Sequence, residues 1–358
     1  MLNIGEKFEN WLNQAQAAEA SDIHFMVGHP PITRVTGRLD PLSGIEPLCS
    51  EDTQGLAEYL MSEAQYNIFQ KKKDIDFSCR GGEDIRFRVN VFYQRGEVSL
   101  ALRIVPSQIK TIEELNLPLV LKEFTHNAQG FVLVTGASSQ GKSTTLAALV
   151  NEINQRQPKH IITIEDPIEY IFKDDQSIIA QREVHSDALN FPRALRATLR
   201  EDPDVIVVGE MRDLETIATA ITAAETGHLV FATLHTNDTA QTIHRLADVF
   251  PASQQNQIRA QLAGSLLGIV SQRLIPGRDG SFVPACEVLI NTSAVSNLIR
   301  KNDIAQIPLV IQTGANVGMI SMNQSLAELV ESGRISPEKA LAYSLRPNEL
   351  RDILIRIS

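Results

Sequence analysis

Residues 131 to 145 read Phe131-Val-Leu-Val-Thr-Gly136-Ala-Ser-Ser-Gln-Gly141-Lys142-Ser143-Thr144-Thr145, and this stretch decides the fold. An apolar run comes first, the spacing Gly-x4-Gly-Lys-Ser follows, and apolar residues then recur at helical spacing from Leu146 to Ile153. A strand, a glycine-rich loop and a helix in this order are typical of a phosphate-binding loop. The alternative is a glycine-rich turn that matches the pattern by chance. We expect a loop that binds a nucleoside triphosphate.

The positions of this loop have different expected tasks. Gly136 lets the chain turn after the strand, and Gly141 lets backbone N–H groups close on phosphate oxygens at the start of the helix. Lys142 is expected to contact the β- and γ-phosphates of ATP, and Ser143 to reach Mg²⁺. The predicted nucleotide-binding residues are Gly136, Ala137, Ser138, Ser139, Gln140, Gly141, Lys142, Ser143 and Thr144.

The composition argues against several classes of protein. The 358 residues are 43% hydrophobic and 21% charged, as in ordinary globular proteins of two or three domains. A net charge of −10 argues against a direct nucleic-acid partner. Cys49, Cys79 and Cys286 are far apart and odd in number, which predicts neither a disulfide framework nor a zinc module. We therefore expect a reducing compartment.

Membrane insertion is not expected from this sequence. No apolar run approaches the ~18 residues that a membrane-spanning helix needs. Glu6 and Glu9 stand where a signal peptide would be basic and then apolar. The sequence therefore predicts a cytoplasmic protein that meets a membrane only through its partners.

The first hundred residues predict a small α+β domain over residues 1–105, without a nucleotide loop of its own. Its last two strands form a β-hairpin, in which Gly96 supplies the turn geometry. The predicted elements are a helix over 3–18, strands over 22–27 and 32–37, a helical segment over 52–70, and strands over 85–93 and 98–105.

Residues 106–118 are bracketed by prolines and predict an interdomain linker. Apolar runs and helical stretches then alternate over 119–290, which predicts a mostly parallel sheet with helices on both faces. A helical region over 291–358 follows. The predicted strands are 131–135, 160–164, 205–208, 229–234 and 282–290, and the predicted helices are 142–154, 191–200, 213–225 and 239–247.

Acidic residues follow two of these strands. In parallel sheets ligands bind at the carboxyl ends of the strands, so these residues are expected near the phosphates. Glu165 is the predicted base that polarises the attacking water, and Glu210 is predicted to hold Mg²⁺ together with Ser143. The alternative for Glu165 is a helix cap or an ion pair with a surface arginine. The sequence alone leaves the division of catalysis between Glu165 and Glu210 open.

Cations complete the predicted catalytic set. His235 lies at the carboxyl end of strand 229–234 and is predicted to sense or stabilise the γ-phosphate, whereas His228 lies at the opposite end. Phosphoryl transfer also uses an arginine, which a neighbouring subunit can supply. The hairpin of the N-terminal domain carries Arg86, Arg88, Arg95 and Arg103, of which Arg88, Arg95 and Arg103 are the predicted catalytic residues. The alternative for each arginine is a surface or ion-pair role.

Four ordered motifs together resemble one family, the secretion and type IV pilus ATPases. They are the phosphate loop 136–143, the acidic box 164–169, the Walker B segment 202–213 and the histidine box 226–237. The resemblance implies a RecA-like ATPase core that follows a PAS-like domain, the latter indicated by Ala20–His24 and Arg86–Asn90. It also implies a homo-hexamer with ATP between its subunits.

The retraction branch of this family is the more similar one. Ala294–Lys301 resembles the C-terminal helix motif of retraction members, and the four-cysteine zinc insertion of assembly members is not found. The loop departs from the family pattern, because Ala137, Ser138, Ser139 and Gln140 replace the usual Pro-Thr-Gly-Ser. Ser296 and Lys301 likewise stand where Arg and Glu are usual.

The resemblance implies an ATP- and Mg²⁺-dependent motor for pilus retraction and twitching motility. Such a motor would lie in the cytoplasm, peripheral to the inner membrane, on a platform protein of the pilus machinery. Two alternatives stay open. One is an accessory ring subunit that binds nucleotide but hardly hydrolyses it, and the other is a pilus assembly or type II secretion ATPase.

Overall fold

The computed structural model describes residues 3–35, 37–81, 85–105 and 108–357. The chain divides into two units. The first comprises Met1–Gln108 and Pro167–Ile171, and the second comprises Ile109–Asp166 and Phe172–Ser358. Of the predicted linker, residues 106 and 107 lie outside the described part of the chain.

The first unit is built on a six-stranded antiparallel sheet in the order β3-β2-β1-β6-β5-β4, with three helices. Its core contains Trp11, Phe25 and Phe87. The predicted α+β arrangement is confirmed. The elements are α1 Ile4–Ala17, β1 Asp22–Phe25, β2 Ile32–Val35, β3 Arg38–Pro41, α2 Ser50–Leu60, α3 Glu63–Lys72, β4 Asp74–Gly81, β5 Ile85–Gln94 and β6 Glu97–Val105.

Local chemistry explains where these elements begin and turn. Asn3 and Glu6 form a capping box that starts α1. Between β5 and β6, Arg95 and Gly96 have φ values of 54° and 87°, which is the two-residue turn expected for a twisted hairpin. The prediction of one helical segment over 52–70 was wrong in one respect. Met61 is extended, and Ser62 caps a second helix.

The second unit contains a seven-stranded sheet in the order β13-β12-β7-β11-β10-β8-β9. All neighbouring pairs are parallel except β12 with β13. The strands are β7 Gly130–Thr135, β8 His160–Glu165, β9 Ile178–Glu183, β10 Val205–Val208, β11 Leu229–Leu234, β12 Leu266–Pro276 and β13 Phe282–Ile290. Strands β9 and β12 were not predicted from the sequence.

Helices cover both faces of this sheet, as predicted. Alternation along β7 places Phe131 and Leu133 in one core cluster, and Val132 and Val134 in another that includes α5. The helices are α4 Leu121–Thr125, α5 Lys142–Arg156, α6 Phe191–Thr198, α7 Leu214–Glu225, α8 Thr239–Asp248, α9 Ala252–Ser265, α10 Ser293–Lys301, α11 Ile307–Thr313, α12 Met322–Glu331, α13 Pro337–Tyr343 and α14 Pro347–Ile357.

Two further segments bear on the sequence predictions. Ile112 and Leu117, in the stretch predicted as a linker, are buried in the same cluster as α5. Near the other end of the chain, inside the region predicted to be helical, Ser336 caps α13 and Pro337 begins it. Within the described ranges no helix is both long and apolar enough to cross a membrane.

Candidate nucleotide site

The parallel register brings four strand ends to one edge of the sheet. Thr135 of β7 is paired with Leu234 of β11, and Val208 of β10 is paired with Ile164 of β8. The phosphate loop, Glu165, Glu210 and His235 follow or end these strands, so the strand ends carry the residues predicted to act together. Their roles remain predictions, but this placement matches the expected edge.

The phosphate loop has the backbone geometry that its glycines allow. Gly136 and Gly141 have φ values of 150° and 78°. A Cβ atom on Gly136 would lie 2.5 Å from the carbonyl oxygen of Gln272, and one on Gly141 would lie 2.8 Å from Nε2 of that glutamine. Both positions therefore exclude a side chain. Ala137, Ser138 and Ser139 are exposed, while Lys142, Ser143 and Thr144 form the first turn of α5.

Lys142 folds back into its own loop. Its side chain is buried, and Nζ donates hydrogen bonds to the carbonyl oxygens of Gly136 at 3.0 Å and Ala137 at 2.9 Å. The ammonium group also lies 3.5 Å from Nδ1 of His235. Phosphate oxygens are stronger partners for an ammonium group than backbone carbonyls, because the bond is then assisted by charge on both sides. The lysine is thus held in the loop that a triphosphate would enter.

His235 connects the loop to the Walker B acid. Its Nδ1 faces Lys142, and its Nε2 lies 3.2 Å from Oε1 of Glu210. Because an ammonium group only donates, Nδ1 must accept there, which leaves the ring hydrogen on Nε2 facing the carboxylate. The histidine can therefore register a change at Lys142 and transmit it to Glu210.

Glu210 is held by a guanidinium and an imidazole. Arg212 contacts both of its oxygens, each at 2.7 Å, in the two-pronged geometry that favours guanidinium–carboxylate pairs. Partial burial opposes ionisation of Glu210, but Arg212 and His235 outweigh it and hold the pKa of the carboxyl below its usual value. The three side chains line a cleft of about 340 Å³.

Glu165 has a different environment at the end of β8. Its Oε1 accepts hydrogen bonds from the hydroxyl of Thr163 at 2.6 Å and from the amide of Gln181 at 3.2 Å. A Cβ atom on Gly209 would lie 3.2 Å from Cα of Glu165, so the two acidic strand ends are adjacent. Both bonds are made to the same oxygen and help to fix the direction of the carboxylate.

The predicted trans-acting arginines lie on β5, β6 and their turn in the first unit. Arg88 and Arg103 are register partners, and Arg95 occupies the turn. Arg103 donates to Asp22 at 2.9 Å. Burial raises the pKa of Asp22, but the hydrogen bonds from Arg103 and Ser21 lower it by a larger amount, so the net shift of the pKa is downward. Arg103 therefore already has the ion-pair partner that the alternative prediction described.

Other residues of the site escaped prediction from sequence. Gln272 lies on β12 and Gln181 on β9, two strands that the pattern did not reveal, and glutamine carries no signature of its own. Arg212 lies in the Walker B segment 202–213, but no role was predicted for it from the sequence. His228 was predicted to face away from the nucleotide. It precedes β11, at the end of that strand opposite to His235, and its Nδ1 lies 3.0 Å from the carbonyl oxygen of Ala223.

A parallel sheet with a phosphate loop and acidic residues at its carboxyl edge defines the class of P-loop ATPases. The family model of the type II/IV secretion system protein matches residues 3–331. The type IV pilus retraction ATPase PilT of Pseudomonas aeruginosa strain PAO1 is 46% identical over 321 residues, covering 90% of this chain and 93% of that protein. A twitching motility protein of Neisseria gonorrhoeae is 46% identical over 311 residues, covering 87% and 83%.

A solved structure is similar to both units of the chain. The crystal structure of the pilus retraction motor PilT with bound ADP matches with a TM-score of 0.90 and 48% identity, covering 96% of this chain and 98% of that one. The chain therefore belongs to the type II/IV secretion system protein family and is a PilT-like ATPase within it. The resemblance inferred from the four motifs is confirmed.

Proposed function

We propose that this chain hydrolyses ATP to power the retraction of type IV pili, and so twitching motility. The observation that carries the proposal is the likeness to retraction ATPases over nearly the whole chain, including the unit that has no phosphate loop. The contact chain from Lys142 through His235 to Glu210 supports it, because it joins the loop to the acid that a motor must control.

In this proposal residues 136–144 bind ATP. The ammonium group of Lys142 exchanges the carbonyls of Gly136 and Ala137 for the β- and γ-phosphates. The backbone N–H groups at the start of α5 face the same anion. His235 then stands beside both the lysine and Glu210, where it senses the γ-phosphate.

The residues present fit Mg²⁺ as the accompanying ion. In the described part of the chain no cluster of three or more His, Cys, Asp or Glu side chains could bind a metal by itself. A hydroxyl from Ser143, a carboxylate from Glu210 and oxygens of the nucleotide form the oxygen donor set that Mg²⁺ prefers. When bound, Mg²⁺ neutralises part of the negative charge of the phosphates. Glu210 must loosen its pairing with Arg212 to contribute.

Glu165 is the proposed base for the attacking water. Its carboxylate accepts hydrogen bonds from Thr163 and Gln181, which help to fix its direction. Glu210 is paired with Arg212 and His235, so we assign it to the metal and to signalling through His235. This division of work was open from the sequence.

The proposed working form is a homo-hexamer in the cytoplasm, attached to the inner membrane through a platform protein of the pilus machinery. A neighbouring subunit supplies an arginine, with Arg88, Arg95 and Arg103 as candidates. We propose a PAS-like domain over 1–105, a linker over 106–118, a RecA-like core over 119–290 and a helical region over 291–358. No direct contact with nucleic acid is proposed.

The test compares the purified wild type with Glu165→Gln for Mg²⁺-dependent phosphate release, with the oligomer mass recorded in the same samples. A wild-type hexamer that turns over, beside a variant that assembles without turnover, supports the motor. In the source organism, deletion of the gene should leave excess surface pili and abolish twitching, and only the wild-type gene should restore both. A deletion strain that lacks pili would instead indicate an assembly ATPase.

One observation favours the accessory subunit as a second candidate. Ser139 has a φ of 60°, a left-handed conformation that costs about 1 kcal/mol for a residue other than glycine. A loop under such strain could bind nucleotide without turning it over efficiently. Wild-type protein that binds ATP and assembles but releases no phosphate would establish this candidate.

A further inference from the structure

Strand β12 extends beyond the end of β7 and meets the phosphate loop. The last register pair between the two strands joins Ser271 and Thr135. From Gln272 onward β12 therefore has the loop on this side, while β13 stays paired with it on the other side. Strand β12 donates two hydrogen bonds across this contact, and Gln140 accepts both. The amide of Gln272 donates to the carbonyl oxygen of Gln140 at 2.9 Å, and the backbone N–H of Leu274 donates to Oε1 of Gln140 at 2.8 Å.

Gln272 is itself fixed by the helix that follows the loop. Its side chain is 3% exposed, and its Oε1 accepts a bond of 2.6 Å from the hydroxyl of Thr145 in α5. The amide therefore cannot rotate without leaving buried polar atoms unpaired, which is unfavourable. Gln140 is thus held at its backbone and at its side chain by a rigid neighbour.

The residue before Gln140 explains why such a hold is needed. Ser139 is exposed and adopts a φ of 60°, a region that residues with a Cβ atom rarely occupy. A residue persists in such a conformation only when its surroundings determine it. The fixed position of Gln140 supplies that constraint, because it anchors the next peptide unit of the loop.

We propose that Gln140 and Gln272 form a glutamine clamp that keeps the phosphate loop in its nucleotide-binding shape despite the left-handed Ser139. Both are positioning residues for ATP, acting through the backbone of the loop. The inference rests on the nucleotide site of the proposed function and deepens it.

The test measures the affinity of the full-length protein for a fluorescent, slowly hydrolysed ATP analogue in the presence of Mg²⁺. Gln140→Met keeps the length of the side chain and removes the acceptor for Leu274. We expect the Kd to rise about tenfold, because the loop must then be ordered on binding. Gln272→Met should weaken binding similarly, and thermal unfolding reports whether each variant is folded.

The rescue by glycine separates this mechanism from a general loss of structure. Ser139→Gly combined with Gln140→Met should bring the Kd back to within about threefold of the wild type, because glycine adopts the left-handed conformation without a clamp. A Gln140→Met variant that binds as the wild type does, or a double variant without rescue, would overturn the clamp. Lys142→Ala tests the proposed site separately. If Lys142→Ala binds the analogue normally, the nucleotide site itself is wrong.

Discussion

Two neighbouring strand ends each present a glutamate, but their surroundings differ. Glu165 at the end of β8 is held by a hydroxyl and an amide, whereas Glu210 after β10 is held by a guanidinium and an imidazole. A hydroxyl and an amide orient a carboxylate, while a bidentate guanidinium pairs with its charge and lowers its pKa. In the proposed function, Glu165 is therefore the base, and Glu210 serves the metal and the signal through His235.

The largest expected effect is that of Glu165→Gln. Removal of a general base typically costs 10²–10⁴ in rate, and we expect phosphate release to fall about 10³-fold with little change in ATP affinity. Steady-state turnover and analogue binding measured on the same hexamer check this. Glu165→Asp is the matched control, because it keeps the charge but shortens the reach. Turnover of Glu165→Gln within tenfold of the wild type would end the assignment of Glu165 as base.

Glu210→Gln is expected to cost less, about 30-fold in turnover, because glutamine keeps one oxygen donor and the other ligands remain, so the loss should resemble the 10–100-fold typical of a supporting group. Its signature is a weaker dependence on Mg²⁺, so higher Mg²⁺ should restore part of the rate. A titration of turnover against Mg²⁺ for both glutamine variants separates the two roles. If Glu165→Gln is rescued by Mg²⁺ and Glu210→Gln is not, the two assignments must be exchanged.

The sequence predicted those parts of the site that local pattern determines. Gly-x4-Gly-Lys-Ser is a contiguous signal, and the loop follows its strand as expected. Glu165, Glu210 and His235 could be placed together because parallel strands align their carboxyl ends at one edge. The sheet with helices on both faces could also be predicted from local pattern, because buried strands and amphipathic helices differ in the period of their apolar residues.

The support around these residues could not be predicted in the same way. Gln272 bonds to Gln140 across 132 positions, and Gln181 bonds to Glu165 from a strand that the pattern did not show. Neither partner has a spacing signature, because a hydrogen bond between distant segments depends on the register of the finished sheet. The contacts of Gln140 with β12, which constrain the neighbouring Ser139, likewise depend on the folded structure.

A smaller effect is expected from Thr163→Val, which removes the hydroxyl donor to Glu165 and keeps the shape of a completely buried side chain. We expect turnover at saturating ATP to fall about fivefold to tenfold with the KM nearly unchanged, because only the orientation of the base is lost. Thr163→Ser retains the donor and should stay near the wild type. Equal losses in both variants would indicate a packing defect instead.

The smallest effect is expected from Arg212→Gln, which removes the bidentate partner of Glu210. Since Arg212 is 74% exposed, solvent screens the pair, and the free energy of unfolding should fall by less than about 1 kcal/mol at neutral pH. The pKa of Glu210 is lowered in the folded protein, so this stabilisation is present above the usual value of 4.5 and is lost as the pH falls through the folded pKa. Urea unfolding of both proteins between pH 7 and pH 4 should therefore show a difference that narrows at the acid end, with Arg212→Lys intermediate. A difference that stays constant with pH would mean that Arg212 stabilises the fold by packing, and that the low pKa of Glu210 comes from His235.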